Sequence, residues 1–264
     1  MPIFLKTKDE IELMRQANQL VGRTLGELAK HIKPGVSTLQ LDKIAEEFIR
    51  DNGAIPAFKN FPNPFGGAFP ASICTSVNDV VVHGIPNKNE ILRDGDVISV
   101  DCGTILAGFC GDSAYTFEVG DVSAEVKKLL RVTRESLYLG IDNAIAGKHL
   151  GDIGYVIQDY CESNGYGIVR ELTGHGIGKK MHEDPKVPNY GRRGNGTLLK
   201  EGMCIAIEPM VTMGSRSIYL AQDRWAIKTR DTKPAAHFEH TVAVCRSKVE
   251  ILSTFEEIER VLKQ

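Results

Sequence analysis

An α+β fold built from two related halves is the architecture this sequence predicts, on three observations. Two capping boxes open amphipathic helical stretches near the start, the second of these helical patterns returns 112 positions later, and two strand-like runs each end in an acid after a matching turn glycine. At 264 residues the chain can bury one large core, so residues 1–264 are read as a single domain with halves at about 7–118 and 119–252.

The elements follow in order. Thr7-Lys8-Asp9-Glu10 and Ser37-Thr38-Leu39-Gln40 each have the form in which a cap hydroxyl and an acid or amide three residues on satisfy each other's backbone amides. In the second helix Leu41, Ile44, Ala45, Phe48 and Ile49 make an apolar stripe, and Asn52-Gly53 stops it. Gly35, Leu41, Ile44, Ala45, Phe48, Asn52 and Gly53 return as Gly147, Ile153, Val156, Ile157, Tyr160, Asn164 and Gly165. The first helix returns more weakly, Met14, Ala17, Thr24 and Leu25 falling on Val126, Leu129, Ser136 and Leu137. His83-Gly84-Ile85 echoes His175-Gly176-Ile177, and Arg93 to Asp101 lines up with Lys200 to Glu208. Between the helices and the first strands, 54–71 is rich in Phe, Pro and Gly (Phe58, Phe61, Phe65, Phe69; Pro56, Pro62, Pro64, Pro70) and reads as a stiff covering loop. The last residues, Phe255 to Gln264, read as a peripheral amphipathic helix.

Composition narrows the function classes. A formal charge of −2 leaves no electrostatic footprint for nucleic acid or an anionic membrane. No apolar run approaches the roughly 20 residues that span a bilayer, and the start lacks a signal-peptide core, so a cytoplasmic location is expected. The six cysteines are scattered without a Cys-x-x-Cys pair, which suits reduced core thiols.

The chemistry is carried by acids where acids are unusual. Asp is depleted in strands, yet Asp101 ends the run Val97-Ile98-Ser99-Val100. A two-residue turn at Ala107-Gly108 would pair Leu106 with Phe109, setting Asp112 opposite Gly103 and Asp101 opposite Ala114. The two acids then share a face as diagonal neighbours about 7–8 Å apart at the backbone. Like charges so placed repel unless a cation or proton intervenes. Glu208 closes Cys204-Ile205-Ala206-Ile207, and Glu239 sits among apolar residues, so four carboxylates converge from the two halves and call for bound cations. Gly174-His175-Gly176-Ile177-Gly178 lacks the ending of a phosphate loop, and an unhindered histidine there can face a metal. Four carboxylates with one imidazole favour Mn, Fe, Co or Mg over thiolate-bound zinc.

With Val82-His83-Gly84-Ile85-Pro86, Ile207-Glu208-Pro209-Met210 and Phe238-Glu239-His240-Thr241, the ordered set Asp101, Asp112, His175, Glu208, Glu239 resembles the type I methionine aminopeptidases, over about Thr7 to Leu252. The resemblance implies the pseudo-two-fold "pita-bread" α+β fold of creatinase and the aminopeptidases, a curved antiparallel sheet covered by two helix pairs. It implies a metallo-exopeptidase that removes the initiator methionine from nascent polypeptides with a small second residue. Two divalent ions, drawn from Co, Mn, Fe or Zn, would be bridged by Asp112 and Glu239, with Asp101 completing one site and His175 and Glu208 the other. Glu208 would take the proton from the attacking water, and His83 and His182 would contact substrate and stabilise the tetrahedral intermediate. Phe58, Phe61, Phe69, Cys74, Met181 and Trp225 fall at or near the family's pocket-lining positions, where aromatic and sulfur atoms suit a methionine thioether.

The sequence departs from the family pattern at three places: a longer aromatic loop, Met181 for a commonly aromatic residue, and His237 for a common Gln. These bear on pocket shape and rate. The resemblance also leads to the expectation of a monomer, with ribosome association left open. Two rivals stand beside it. Prolidases and aminopeptidases P share the five ligands but normally carry a further N-terminal domain, whereas this chain opens almost directly on the catalytic helices. Non-catalytic pita-bread proteins have lost ligands that are all present here.

Overall fold

The computed structural model describes residues 2–63 and 67–263. Pro64, Phe65 and Gln264, which belong to the covering loop and terminal helix expected above, lie outside the described residues.

Helix α1 spans Lys8–Ala29 and helix α2 Thr38–Asp51. Both begin at complete capping boxes. The Thr7 hydroxyl accepts the Glu10 amide while Glu10 Oε2 accepts the Thr7 amide at 2.9 Å, and Ser37 and Gln40 repeat the exchange. Helices α3 (Ala124–Asp142) and α4 (Leu150–Ser163) repeat the pair. The entry to each second helix is tied the same way. Gly35 donates to the Leu92 carbonyl at 2.8 Å, and Gly147 donates to the Leu199 carbonyl at 2.9 Å. Leu41, Ala45 and Ile49 are buried, with Ile44 and Phe48 packed partly against the same core. Helix α5 (Glu256–Leu262) realises the terminal helix more tightly packed than a peripheral one. Its Ile258 is fully buried, and a side chain at Gly22 or Gly26 of α1 would meet Thr254 or Glu257 at 2.6 Å.

Strand pairing among the described residues is antiparallel throughout. Strand Val97–Leu106 pairs on one side with Phe109–Glu118 and on the other with Ile73–Val77 and Ile55–Pro56. A five-stranded sheet runs in the order Val249–Ile251, His240–Val244, Cys204–Ile207, Gly174–Gly176, Glu183–Val187. The hairpin register is the one read from the sequence: Leu106 opposite Phe109, Gly103 opposite Asp112, Asp101 opposite Ala114. Its two turn residues both have positive φ, Ala107 at 51° and Gly108 at 80°, the twist that closes a two-residue hairpin.

Between the two sheets runs a seam of hydrogen bonds from one half to the other. Ser113 Oγ donates to the Glu239 carbonyl at 2.6 Å, Thr241 Oγ1 donates to the Asp112 carbonyl at 2.9 Å, and the Glu239 amide donates to the Ala114 carbonyl at 2.9 Å. Thr116 Oγ1 donates to the His237 carbonyl and accepts from its amide. Backbones that carry acids from different halves are thereby held side by side.

Candidate metal centre

Strand geometry brings the acids together. Asp101 and Asp112 project from one face of the first hairpin, and the seam sets Glu239 beside Asp112. Among the described residues, one ligand atom each of Asp112, His175 and Glu239 lie within 4.8 Å of one another. Asp101 and Glu208 stand outside that cluster but line the same cavity. Glu208 Oε1 is 3.6 Å from His175 Nε2, and Asp112 Oδ2 is 3.5 Å from it. The Nδ1 of His175 lies 2.9 Å from the Gly176 carbonyl, so its N–H donates there and leaves the Nε2 lone pair facing the acids.

The electrostatics show what the cluster lacks. Asp112 and Glu239 are buried, and Asp101 Oδ1, Asp112 Oδ1 and Glu239 Oε1 are shielded from solvent with no hydrogen-bond partner. Burial first, and the neighbouring carboxylates second, push the Asp101 and Glu239 pKa values well above the ordinary range. Burial also raises Asp112, against the pull of His175. Burial acts to raise Glu208 as well, but His237, His175 and His83 together outweigh it and hold that carboxyl below its usual value. Orphaned carboxyl oxygens around one imidazole nitrogen fit a divalent cation, the charge that would satisfy them together.

An apolar cavity of about 370 Å³ opens beside the acids. All the residues assigned from the sequence line it: Asp101, Asp112, His175, Glu208 and Glu239, the histidines His83 and His182, and Phe58, Phe61, Phe69, Cys74, Met181 and Trp225. Phe69 meets Trp225 edge to face at 5.0 Å, and His182 meets Phe61 at 5.1 Å and His175 at 4.4 Å. His83 takes a left-handed φ of 60°, unusual for a histidine, and burial lowers its pKa. His182 lines the same cavity. Desolvation by the wall and the nearby His175 push it down to about 4. The wall is closely fitted, since a Cβ on Gly103 would lie 2.7 Å from both Met181 Cε and Phe58 Cε1.

Several residues of the site were not read from the sequence. Leu220 and Ile227 reach the cavity from the hairpin Ile218–Leu220 and Ile227–Thr229, whose short strands carry little pattern, Arg224 joins them from the turn between, and Pro62 and Asn63 come from the expected covering loop without having been assigned to the pocket. His237, noted only as a departure, is buried with its Nε2 3.6 Å from Glu208 Oε2. Asn18 of α1 accepts the Asp112 amide at 3.1 Å. A polar residue on the buried stripe of Met14, Ala17, Val21 and Leu25 was the signal that could have found it.

Comparisons with known proteins identify the family and the fold. Metallopeptidase family M24 matches residues 12–246. A methionine aminopeptidase of Clostridium acetobutylicum is 52% identical over 254 residues, covering 96% of this chain and 100% of the relative. The crystal structure of the methionine aminopeptidase from Rickettsia prowazekii superimposes with a TM-score of 0.92 at 42% identity, covering 96% of this chain and 100% of that one. The Xaa-Pro dipeptidase from Bacillus anthracis, at 23% identity and a TM-score of 0.74, shares the fold alone, and this chain spans 62% of it. The fold is therefore the pita-bread fold that the resemblance implied, and the chain belongs to metallopeptidase family M24.

Proposed function

We propose that this protein is a metal-dependent methionine aminopeptidase, which hydrolyses the first peptide bond of polypeptides that begin with methionine followed by a small residue. One observation carries the reading: orphaned carboxylate oxygens and a closely fitted aromatic and sulfur-lined pocket share a single cavity. Asp112 and Glu239 would be shared by two divalent ions, Asp101 would complete the set for one and His175 with Glu208 for the other. Such ions supply Lewis-acid polarisation of the amide and a water acidic enough to attack near neutral pH.

The remaining work falls to side chains. Glu208, kept ionised by three surrounding histidines, is suited to accept a proton from the attacking water. His83 and His182 flank the acids at the cavity wall, where an N–H can reach oxygen developing negative charge on the substrate. Phe58, Phe61, Phe69, Cys74, Met181 and Trp225 would hold the methionine side chain, excluding water from the scissile bond. Because the acids come from both halves and the seam joins them, residues about 7–118 and 119–252 act in this reading as one catalytic domain. Among the described residues no helix is long and apolar enough to cross a membrane. Nascent chains in the cytoplasm are the proposed substrates.

The test is release of free methionine from Met-Ala-Ser by metal-stripped protein, titrated separately with Mn, Co, Fe and Zn. Metal-dependent release supports the proposal. No release with any ion from folded protein, or cleavage confined to Xaa-Pro peptides, overturns it.

A further inference from the structure

His182 raises a question of support. Its ring meets its neighbours through edge contacts to His175 and Phe61, and among the described residues no hydrogen bond fixes it. Its orientation therefore depends on the backbone that carries it. That backbone is tied by the next residue: Glu183 Oε1 accepts the Lys180 amide at 3.2 Å, and Glu183 Oε2 accepts from Lys6 Nζ at 2.6 Å. Lys6 belongs to the segment before α1, 177 positions away, and its own amide donates to the Gly202 carbonyl at 2.7 Å.

The pair is built into the interior. The Lys6 and Glu183 side chains are 6% and 8% exposed, against the largely open surface pairs elsewhere, such as Arg246 with Glu201. A Cβ at Gly178 would meet Lys6 Cε and Glu183 Oε1, each at 2.6 Å, so the loop closes around the pair with no room to spare. A buried ion pair is a poor source of net stability, since apolar side chains of similar volume often serve as well or better. What it supplies is direction: the Lys6 ammonium donates to Glu183 Oε2 and, at 3.1 Å, to the Phe4 carbonyl, which sets its place.

We propose that Lys6, acting through Glu183, is a positioning residue for His182, so that the segment before α1 works as a strap holding the Met181–His182 corner of the cavity. The inference rests on the reading of His182 as a substrate-facing group. A displacement of that imidazole by about 1 Å would reduce turnover by up to about 100-fold without touching the metal ligands.

The experiment is a double-mutant cycle of Lys6→Met and His182→Ala on the metal-loaded full chain, with kcat and KM on Met-Ala-Ser, metal affinity by calorimetry and Tm. Lys6→Met is expected to lower kcat roughly 10- to 100-fold with metal affinity and KM unchanged. In the double variant the loss should be no greater than with His182→Ala alone. Glu183→Gln, which keeps the size and the acceptor for the Lys180 amide, is carried through the same cycle and decides the matter if Lys6→Met does not fold. A lower Tm with kcat intact would reduce the strap to a structural tie and overturn the proposal. Losses that multiply in the double variant would overturn it too, by placing the action of Lys6 elsewhere. Full activity of His182→Ala alone would instead remove the role assigned to His182, a separate failure that the cycle reports directly.

Discussion

Replacing Gly103 with alanine would test the pocket wall at its tightest point. Gly103 lies opposite Asp112 in the hairpin, on the face that looks into the cavity. The added methyl would stand 2.7 Å from Met181 Cε, 2.7 Å from Phe58 Cε1 and 3.1 Å from Phe58 Cζ, whereas carbon atoms rest at about 3.5–4.0 Å. Each neighbour must retreat by about 1 Å. The Met181 methyl can swing on its thioether, but the Phe58 ring moves as a plate, and the free space it can enter is the cavity itself. Overpacking of this kind costs about 1–3 kcal/mol. If that falls on substrate binding, KM for Met-Ala-Ser rises about 5- to 150-fold at roughly 1.4 kcal/mol per factor of ten. The assay is steady-state kinetics beside calorimetric metal titration, which should be unaffected because no ligand moves. Adding Met181→Ala should restore part of the lost affinity. An unchanged KM in a folded Gly103→Ala protein would refute the placement of the methionine pocket between Phe58 and Met181.

Further outcomes can be checked alongside. Ala107 holds a left-handed φ of 51° ahead of Gly108, which costs an alanine about 1 kcal/mol; Ala107→Asn should therefore raise stability by up to about 1 kcal/mol in chemical denaturation, and a loss would contradict the turn geometry. Asp112→Ala or Glu239→Ala should abolish metal-dependent activity and at least one binding step in calorimetry; wild-type titrations would dismiss them as ligands. In metal-free protein Asp101 and Glu239 have raised folded pKa values, so the folded state favours their protons: their contribution is full below the ordinary carboxylate pKa of about 4 and is lost as pH rises from there through the raised folded values. The Tm gap between loaded and stripped protein should thus widen from pH 5 to pH 8, and a constant gap would count against the site carboxylates. Five of six cysteines are buried, and burial pushes Cys110, Cys161 and Cys204 up to about 12. A thiol reagent should label Cys245 alone in native protein and all six thiols in denaturant; rapid labelling of Cys74 would contradict its burial in the cavity wall.

What was legible in the sequence is what near neighbours decide. Capping boxes are four-residue exchanges between side chains and nearby amides, so Thr7-Glu10 and Ser37-Gln40 could be read without any tertiary knowledge. The hairpin register followed from a two-residue turn, and with it the shared face of Asp101 and Asp112. The cavity lining from Phe58 to Trp225 came through the family resemblance, and its members do meet in one space. Contacts set by the packing of distant segments left no local trace. Leu220 and Ile227 swing in from a short hairpin, His237 acquires its carboxylate neighbour only across the second half, and the Lys6–Glu183 pair spans 177 positions. Asn18 lies between, since its oddness on an apolar stripe was visible but its partner, the Asp112 amide 94 positions on, was not.

The seam that joins the halves also sets a timetable. Its side-chain bonds link residues 121, 126 and 129 positions apart, separations whose closure comes late because the intervening chain must first be ordered. During synthesis Asp101 and Asp112 are made early, but the bonds that hold Asp112 beside Glu239 wait until Glu239 and Thr241 have been added. Until then the first hairpin carries two like charges on one face with no counterpart from the second half, so the centre is among the last parts of the molecule to take shape.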